Sequence, residues 1–380
     1  MMAVQPYDVY LGSPAFDLVP GVEEGVRRFT AALDAEARLR PGDVEPVLRS
    51  VERGLQILSD TAQARRHRPK LARLDLGRPV FVIGFLRTGS TLLHNLLGRH
   101  EELHSPLLWE LANPVDTGIH PQEHRALRRW TEDYVADYYA KAPALPGIHY
   151  IDAHLPDECH RLLANTFHSM VLEMRYRVPS YGYWLHRQSL VEPYRWHRRQ
   201  LQTLMWAHRR ADGSVPTPVL KCPFHTWFLR DLAQVYPEAR FIHLHRDPVQ
   251  VVASTASLCR TVRGARSGEQ DLKEIGALWS GRITGLSGEL AEGRDDLLGG
   301  APVLDLPYRK LVADPVEAMR EVCSFLELPF SDSFRAGVED HLRNHSQRAH
   351  GGHRYGPAEF GLDEAAILRA TASYRARFGV

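Results

Sequence analysis

Residues 80–97 constrain this chain more than any other stretch. Val80-Phe81-Val82-Ile83 is a short, wholly apolar run after Arg78-Pro79, the pattern of a strand buried on both faces of a parallel sheet. Gly84-Phe85-Leu86-Arg87-Thr88-Gly89-Ser90-Thr91 follows, and Leu92, Leu93, Leu96 and Leu97 then recur at helical spacing. Strand, glycine loop and helix in that order aim free backbone N–H groups and a helix N-terminus at one point, where an anion binds. The Gly84-x4-Gly89 spacing is that of a Walker A loop, but Ser90 stands where a nucleotide hydrolase carries lysine. A guanidinium, Arg87, precedes the second glycine by two positions instead. That exchange suits a 5′-phosphate clamped by Arg87, Ser90 and Thr91 better than the β- and γ-phosphates of a triphosphate. The same residues would also serve a plain strand–helix turn with two capping hydroxyls.

More strand–helix units are readable downstream. Thr217–Lys221 reads as a strand entering a helix near Trp227–Val235, and Arg240–Leu244 as another before a Val249–Leu258 helix. Val303–Leu306 precedes a helix at Pro315–Leu326, and an amphipathic helix at Asp363–Phe378 closes the chain. Such alternation predicts an α/β fold with a central parallel sheet, a P-loop-like three-layer sandwich. Residues 1–75 read as an N-terminal helical extension, with helices at Gly21–Leu39 and Val44–Ala64 split by Arg40-Pro41-Gly42. Residues 76–380 form the main domain, with a helical substrate-covering insertion at about 120–215.

A second cationic position sharpens the first. His245-Arg246-Asp247-Pro248 follows the strand at 240–244, and Ser254 lies eight residues beyond Arg246. Pro248 suits a first helical turn, so Arg246 stands at the carboxyl end of a strand, where α/β sheets bind ligands. Two phosphate clamps on neighbouring βα units imply a nucleotide phosphorylated at both ends. An Arg–Asp ion pair beside a proline-started helix is the plainer alternative.

With these residues in view, the chain resembles the PAPS-dependent sulfotransferases, bacterial type and related to the tyrosyl-protein branch. The stretch Phe81–Leu93 looks like their 5′-phosphosulfate loop, and Arg246 with Ser254 resembles their 3′-phosphate site. Leu220-Lys221-Cys222-Pro223 resembles a Lys-x-Pro segment, and Tyr308 after the strand at 303–306 resembles the tyrosine bordering the adenosine. His350-Gly351-Gly352-His353-Arg354-Tyr355 resembles a C-terminal phosphate-covering loop, at about 345–362. The resemblance implies 3′-phosphoadenosine-5′-phosphosulfate (PAPS) as donor and its diphosphate (PAP) as product, with no metal. It implies donor contacts from Arg87, Thr88, Gly89, Ser90, Thr91, Arg246, Ser254, Tyr308, His353 and Arg354. It also implies catalytic roles for Arg87 and for Lys221, one of only five lysines among 47 basic residues.

A base must take the acceptor's proton. Glu110 lies 23 residues after Arg87, near the position of the glutamate base in the tyrosyl-protein branch, and is the first expectation. His154, Asp157, Glu158 and His160 are the alternatives, although acids at 157–158 also suit a helix N-terminus. His243 and His245 share a strand face as metal ligands could, but no third ligand is readable nearby. His186–Arg210 is rich in arginine and aromatics. It reads as an amphipathic helix rather than a nucleic-acid surface, since the formal net charge is only +1. It could also hold an anionic acceptor.

Four scattered cysteines without a CxxC pair, no signal-like h-region and no apolar run near a membrane span in length predict a soluble, cytoplasmic protein. The expected activity is sulfuryl transfer to a hydroxyl or amine of a small-molecule or lipid-like acceptor, with oligomeric state open. A P-loop kinase and a non-catalytic nucleotide-binding protein are the rivals.

Overall fold

The computed structural model describes residue 10 and residues 12–115, 121–344 and 356–380. Five strands, β1 (Val80–Gly84), β2 (Leu103–His104), β3 (Thr217–Lys221), β4 (Arg240–His245) and β5 (Val303–Pro307), form one sheet in the order β2-β3-β1-β4-β5. Every pairing is parallel. Four of these strands stand where the apolar runs predict them. β2 has only two residues, too short for a pattern to reveal it.

Alternation along β1 divides the core in two. Phe81 and Ile83 join one buried cluster with Leu220 and Phe241, while Val80 and Val82 join another with Val219, Ile242, Leu244 and Leu306. Helices Ser90–Leu97, Pro315–Leu326 and Asp332–Asn344 supply the second cluster. The first is supplied by the N-terminal helices, by Val191–Met205 and by Pro248–Gly264 and Leu272–Leu297. With both faces covered, the sheet is the middle of three layers, which is why its strands can be apolar throughout. The α/β class is therefore the observed one.

Helices Val22–Glu36 and Pro41–His67 bring Val26, Phe29, Val51, Leu55 and Leu58 into the same cluster as Phe81. Residues 121–205 are helical, from Pro121–Lys141 to Val191–Met205. On the latter helix Tyr194 and Trp196 are buried and Arg195 is exposed, the amphipathic arrangement its sequence predicts. Two boundaries differ from expectation. Pro223 opens a 3-10 turn, Pro223–Phe228, before the helix Leu229–Val235. The last helix is broken into Glu364–Ala370 and Ala372–Phe378 at Thr371 (φ −108°, ψ 12°), whose hydroxyl and N–H share the Ile367 carbonyl at 2.8 and 3.0 Å.

Two glycines admit the loop that follows β1. Gly84 has φ +127°, and a Cβ there would lie 2.4 Å from the Leu244 carbonyl oxygen on β4. Gly89 has φ +87°, and its Cβ would lie 2.8 Å from the Tyr308 ring. The Thr226 hydroxyl pins Gly84 further, accepting its N–H and donating to its carbonyl, both at 3.0 Å. Gly84→Ala should therefore lower unfolding free energy by about 1–3 kcal/mol or more in urea melts, from strained backbone and the clash with β4. Gly281→Ala on an exposed helix, with nothing within 4 Å of the added methyl, should be neutral to stabilising.

Candidate functional site

The segments that follow β1, β3, β4 and β5 line one cavity, the usual ligand position of a parallel sheet. Leu86, Arg87, Gly89, Ser90, Thr91, Glu158, His160, Pro223, Phe224, Arg246 and Tyr308 are among its walls. Arg87 takes a positive φ of 66°, a sparsely populated conformation for a residue with a side chain. Its Nε donates to the Ser254 hydroxyl at 3.2 Å. Arg246 Nη1 donates to the Arg87 carbonyl at 2.7 Å, and the Arg246 guanidinium lies 4.4 Å from the centre of the Tyr308 ring. Asp247 caps the helix Pro248–Gly264 by accepting the Val249 N–H at 2.8 Å, which fixes Arg246 at the mouth. The two cationic positions predicted from separate motifs are thus joined by direct contacts.

Of the other predicted donor contacts, Gly89, Ser90, Thr91 and Tyr308 line the cavity. Thr88 does not; its buried hydroxyl closes the loop by donating to Phe85 O at 2.8 Å. Ser254 reaches the site through Arg87. His353 and Arg354 lie outside the described residues.

Lys221 is buried at the end of β3, with 1 % of its surface exposed. Its ammonium donates to Glu158 at 2.8 Å and to the Thr91 hydroxyl at 3.4 Å. Backbone bonds hold the Glu158 segment over the strand. Leu108 N–H bonds Leu155 O, Asp157 N–H bonds Pro106 O, and Cys159 N–H bonds the Lys221 carbonyl. Burial alone would raise the Glu158 pKa, but the Lys221 ammonium and the His160 hydrogen bond hold it well below the usual carboxylate range. Burial holds His160 down to about 4 despite that same bond, so its ring is neutral at pH 7. Because Arg175 Nη2 can only donate, His160 Nε2 accepts from it at 3.3 Å and Nδ1–H donates to Glu158 at 3.0 Å. Asp157 also faces the cavity, but Arg161 grips it at 2.7 Å.

Glu110 contributes nothing to the cavity wall. Its carboxylate accepts the Leu107 N–H at 2.7 Å, His104 at 3.0 Å and His208 at 2.9 Å. Burial opposes ionisation, yet the two histidine hydrogen bonds bring its pKa down to about 2. His154 is half-exposed and bound to Glu132 at 2.7 Å, also off the wall. Of the five candidate bases, the fold brings Glu158, His160 and Asp157 to the cavity, and leaves Glu110 and His154 outside it.

Sequence spacing gave His243 and His245 no third partner, but β5 supplies one: Asp305 lies 2.7 Å from His245 Nε2. The Arg294 guanidinium sits on the same carboxylate, a cation competing with any metal ion. His104, Glu110 and His208 also gather metal-type donor atoms, with protons already bridging them. The cavity wall further includes Tyr138, His149, Ile151, Val171, Met174, Arg175, Leu258 and Val262. None belongs to a motif; His149 and Ile151 come from the loop after the helix Leu145–Ile148, and the rest from helices whose signal is amphipathic spacing.

Comparison with known proteins finds similar chains over most of this length. Residues 79–332 match the profile described as "Sulfotransferase family". A curated relative, the omega-hydroxy-beta-dihydromenaquinone-9 sulfotransferase Stf3 of Mycobacterium bovis, is 26% identical over 281 residues, covering 70% of this chain and 67% of its own. The crystal structure of sulfotransferase STF1 from Mycobacterium tuberculosis superposes with a TM-score of 0.75 at 26% identity, over 93% of this chain and 92% of that one. That of sulfotransferase STF9 from Mycobacterium avium reaches 0.84 at 21% identity, over 100% and 98%.

The Glu110 and His160 shifts predict an acid-labile fold. Glu110 titrates below its ordinary 4.5 when folded, so its contribution is present above pH 4.5 and lost as pH falls toward 2. His160 titrates near 4 instead of 6.5, so unfolding takes up a proton between those values and stability falls as pH drops through them. In thermal melts, Tm should decline from pH 6.5 downward. Glu110→Gln should lower Tm at pH 7 and flatten the part of the decline below pH 4.5; an unchanged slope there would count against the clamp.

Proposed function

The chain belongs to the sulfotransferase family and is a sulfotransferase, and from that premise we propose that it carries a sulfuryl group from PAPS to a hydroxyl of a small or lipid-like acceptor, with Glu158 as the base. One observation carries this reading. Arg87 and Arg246 open on the same cavity as Glu158, whose ion-pair partner Lys221 is buried behind the wall.

The residues fit a doubly phosphorylated nucleotide. At the loop end, Arg87, Arg246, the Ser90 and Thr91 hydroxyls and the N-terminal amides of the helix Ser90–Leu97 are donors, and no unpaired carboxylate among the described lining residues opposes them. Tyr308, held against Gly89 and Arg246, offers a flat face to a base. When bound, the donor supplies a sulfuryl group already activated by its link to phosphate. Positioning and electrostatics do most of the work in such transfers. Lys221 Nζ and Arg87 stabilise charge growing on the leaving oxygen. Glu158 accepts the hydroxyl proton, and His160, its tautomer locked by Arg175, orients the carboxylate. As Lys221 turns its charge to the leaving group, its hold on Glu158 weakens, which raises the carboxylate's basicity when it is needed.

An apolar wall of Ile151, Val171, Met174, Phe224, Leu258 and Val262 favours an acceptor with a hydrophobic body. The menaquinone-type acceptor in the name of the mycobacterial relative supports the same class. A P-loop kinase fits less well. Ser90 replaces the Walker lysine, and Asp157 and Glu158, the carboxylates of the described wall, are both salt-bridged.

PAP should raise Tm while ATP with Mg²⁺ does not; the opposite pattern would sink the reading. With PAPS and a panel of simple phenols and long-chain alcohols, Glu158→Gln should cut PAP release by about 100-fold or more, keeping the PAP-induced Tm shift. Glu110→Gln should release PAP at near the wild-type rate. If the two variants exchange behaviour, the base is Glu110.

A further inference from the structure

The charges on the cavity wall do not balance at one place. Arg161 has Asp157, and Lys221 has Glu158. Arg87 and Arg246 belong to the phosphate clamps. Arg175 remains, and among the described residues no carboxylate forms an ion pair with it. Its hydrogen bond goes to the neutral imidazole of His160. Arg266 stands behind it in the same condition. Its guanidinium packs 4.6 Å from the centre of the Tyr138 ring and 5.8 Å from that of Tyr176, and its Nη1 bonds the Val262 carbonyl. Both guanidinium-bearing side chains are partly buried, and a cation partly withdrawn from water favours an anion beside it.

The neighbouring phenol reports the resulting field. Burial would raise the Tyr134 pKa, yet Arg175, Arg161 and Arg266 pull it down to about 8. The carboxylate in this part of the wall, Asp157, is engaged by Arg161. The wall near Arg175 also carries apolar side chains, Val171 and Met174 on its own helix and Leu258 and Val262 on the helix packed against it.

Resting on the sulfotransferase reading above, we propose that Arg175, backed by Arg266, is the subsite for an anionic group of the acceptor, making the acceptor an amphipathic hydroxy acid. Its hydroxyl faces Glu158, its apolar body lies along Val171, Met174, Leu258 and Val262, and its carboxylate or equivalent anion meets Arg175. The donor's own sulfuryl group is the other anion that could reach this guanidinium, and the test separates the two.

Calorimetry on the PAP-saturated protein would compare dodecanoate with dodecanol. The wild type should bind the carboxylate about tenfold more tightly, the contribution of one charge-assisted contact. Arg175→Gln should abolish that preference, read as the ratio of the two affinities within each variant, and Arg175→Lys, which keeps the charge, should retain part of it. Partial retention by the lysine variant separates loss of charge from misfolding. No preference in the wild type, including no binding of either probe, overturns the proposal, as does a preference that survives Arg175→Gln. If Arg175→Gln instead weakens PAPS relative to PAP and leaves the dodecanoate preference intact, the anion is the donor's sulfuryl group and the subsite is refuted. Failure of PAP to bind the wild type would strike the sulfotransferase reading of the site, while dodecanoate against dodecanol on the unloaded protein would still judge Arg175.

Discussion

β1 and β4 lie side by side in parallel register, with Gly84 opposite Leu244, and the rest of the site depends on how close they come. A side chain at position 84 would strike the Leu244 carbonyl, so only glycine lets the chain leave β1 along the edge of β4. That departure turns the loop back across the strand ends. It brings the Arg87 carbonyl within reach of Arg246 and the Arg87 side chain within reach of Ser254. Residues 167 positions apart in sequence are thereby brought into direct contact at the cavity. The strain of Arg87 in a left-handed conformation is tolerated because the loop is held on both sides, by the Thr226 hydroxyl and by the start of the following helix.

The Lys221–Glu158 pair is the second fixed point. A buried ion pair contributes little net stability, because desolvating two charges offsets most of their attraction. Its place at a strand end beside Thr91 and His160 is better explained by chemistry than by folding. The pair keeps an ammonium desolvated near the phosphate loop and holds a carboxylate ionised in a buried wall. In the proposed reaction both answer charge that develops elsewhere. The arrangement also shows why Glu158 is held as it is: three backbone bonds from residues 155, 157 and 159 tie its segment between the 106–108 stretch and β3.

Much of this was legible before any coordinates. Runs rich in apolar residues announced four strands, since a sheet covered on both faces calls for them. The glycine spacing announced the loop after β1, and the proline-started helix announced that Arg246 stands at a strand end beside it. Glu110 illustrates where reading stopped. Its distance from Arg87 along the chain was suggestive, but whether a carboxylate faces a cavity depends on its neighbours in space. His208, 98 residues further on, helps claim that carboxylate instead. The third partner of His243 and His245 came from a neighbouring strand for the same reason, since parallel register sets Asp305 beside His243.

By itself the sequence determined the parallel sheet, the phosphate-type loop and the positions of its cations. These are set by local rules of apolar run, glycine geometry and helix capping, which act over a few residues. Only the tertiary structure decided which acid meets Lys221, which candidate bases reach the cavity and which acid Arg161 engages. Those outcomes depend on packing of helical segments between 121 and 205 against the strand ends. Amphipathic spacing tells such segments which face to bury, but not which residue of another element they will meet.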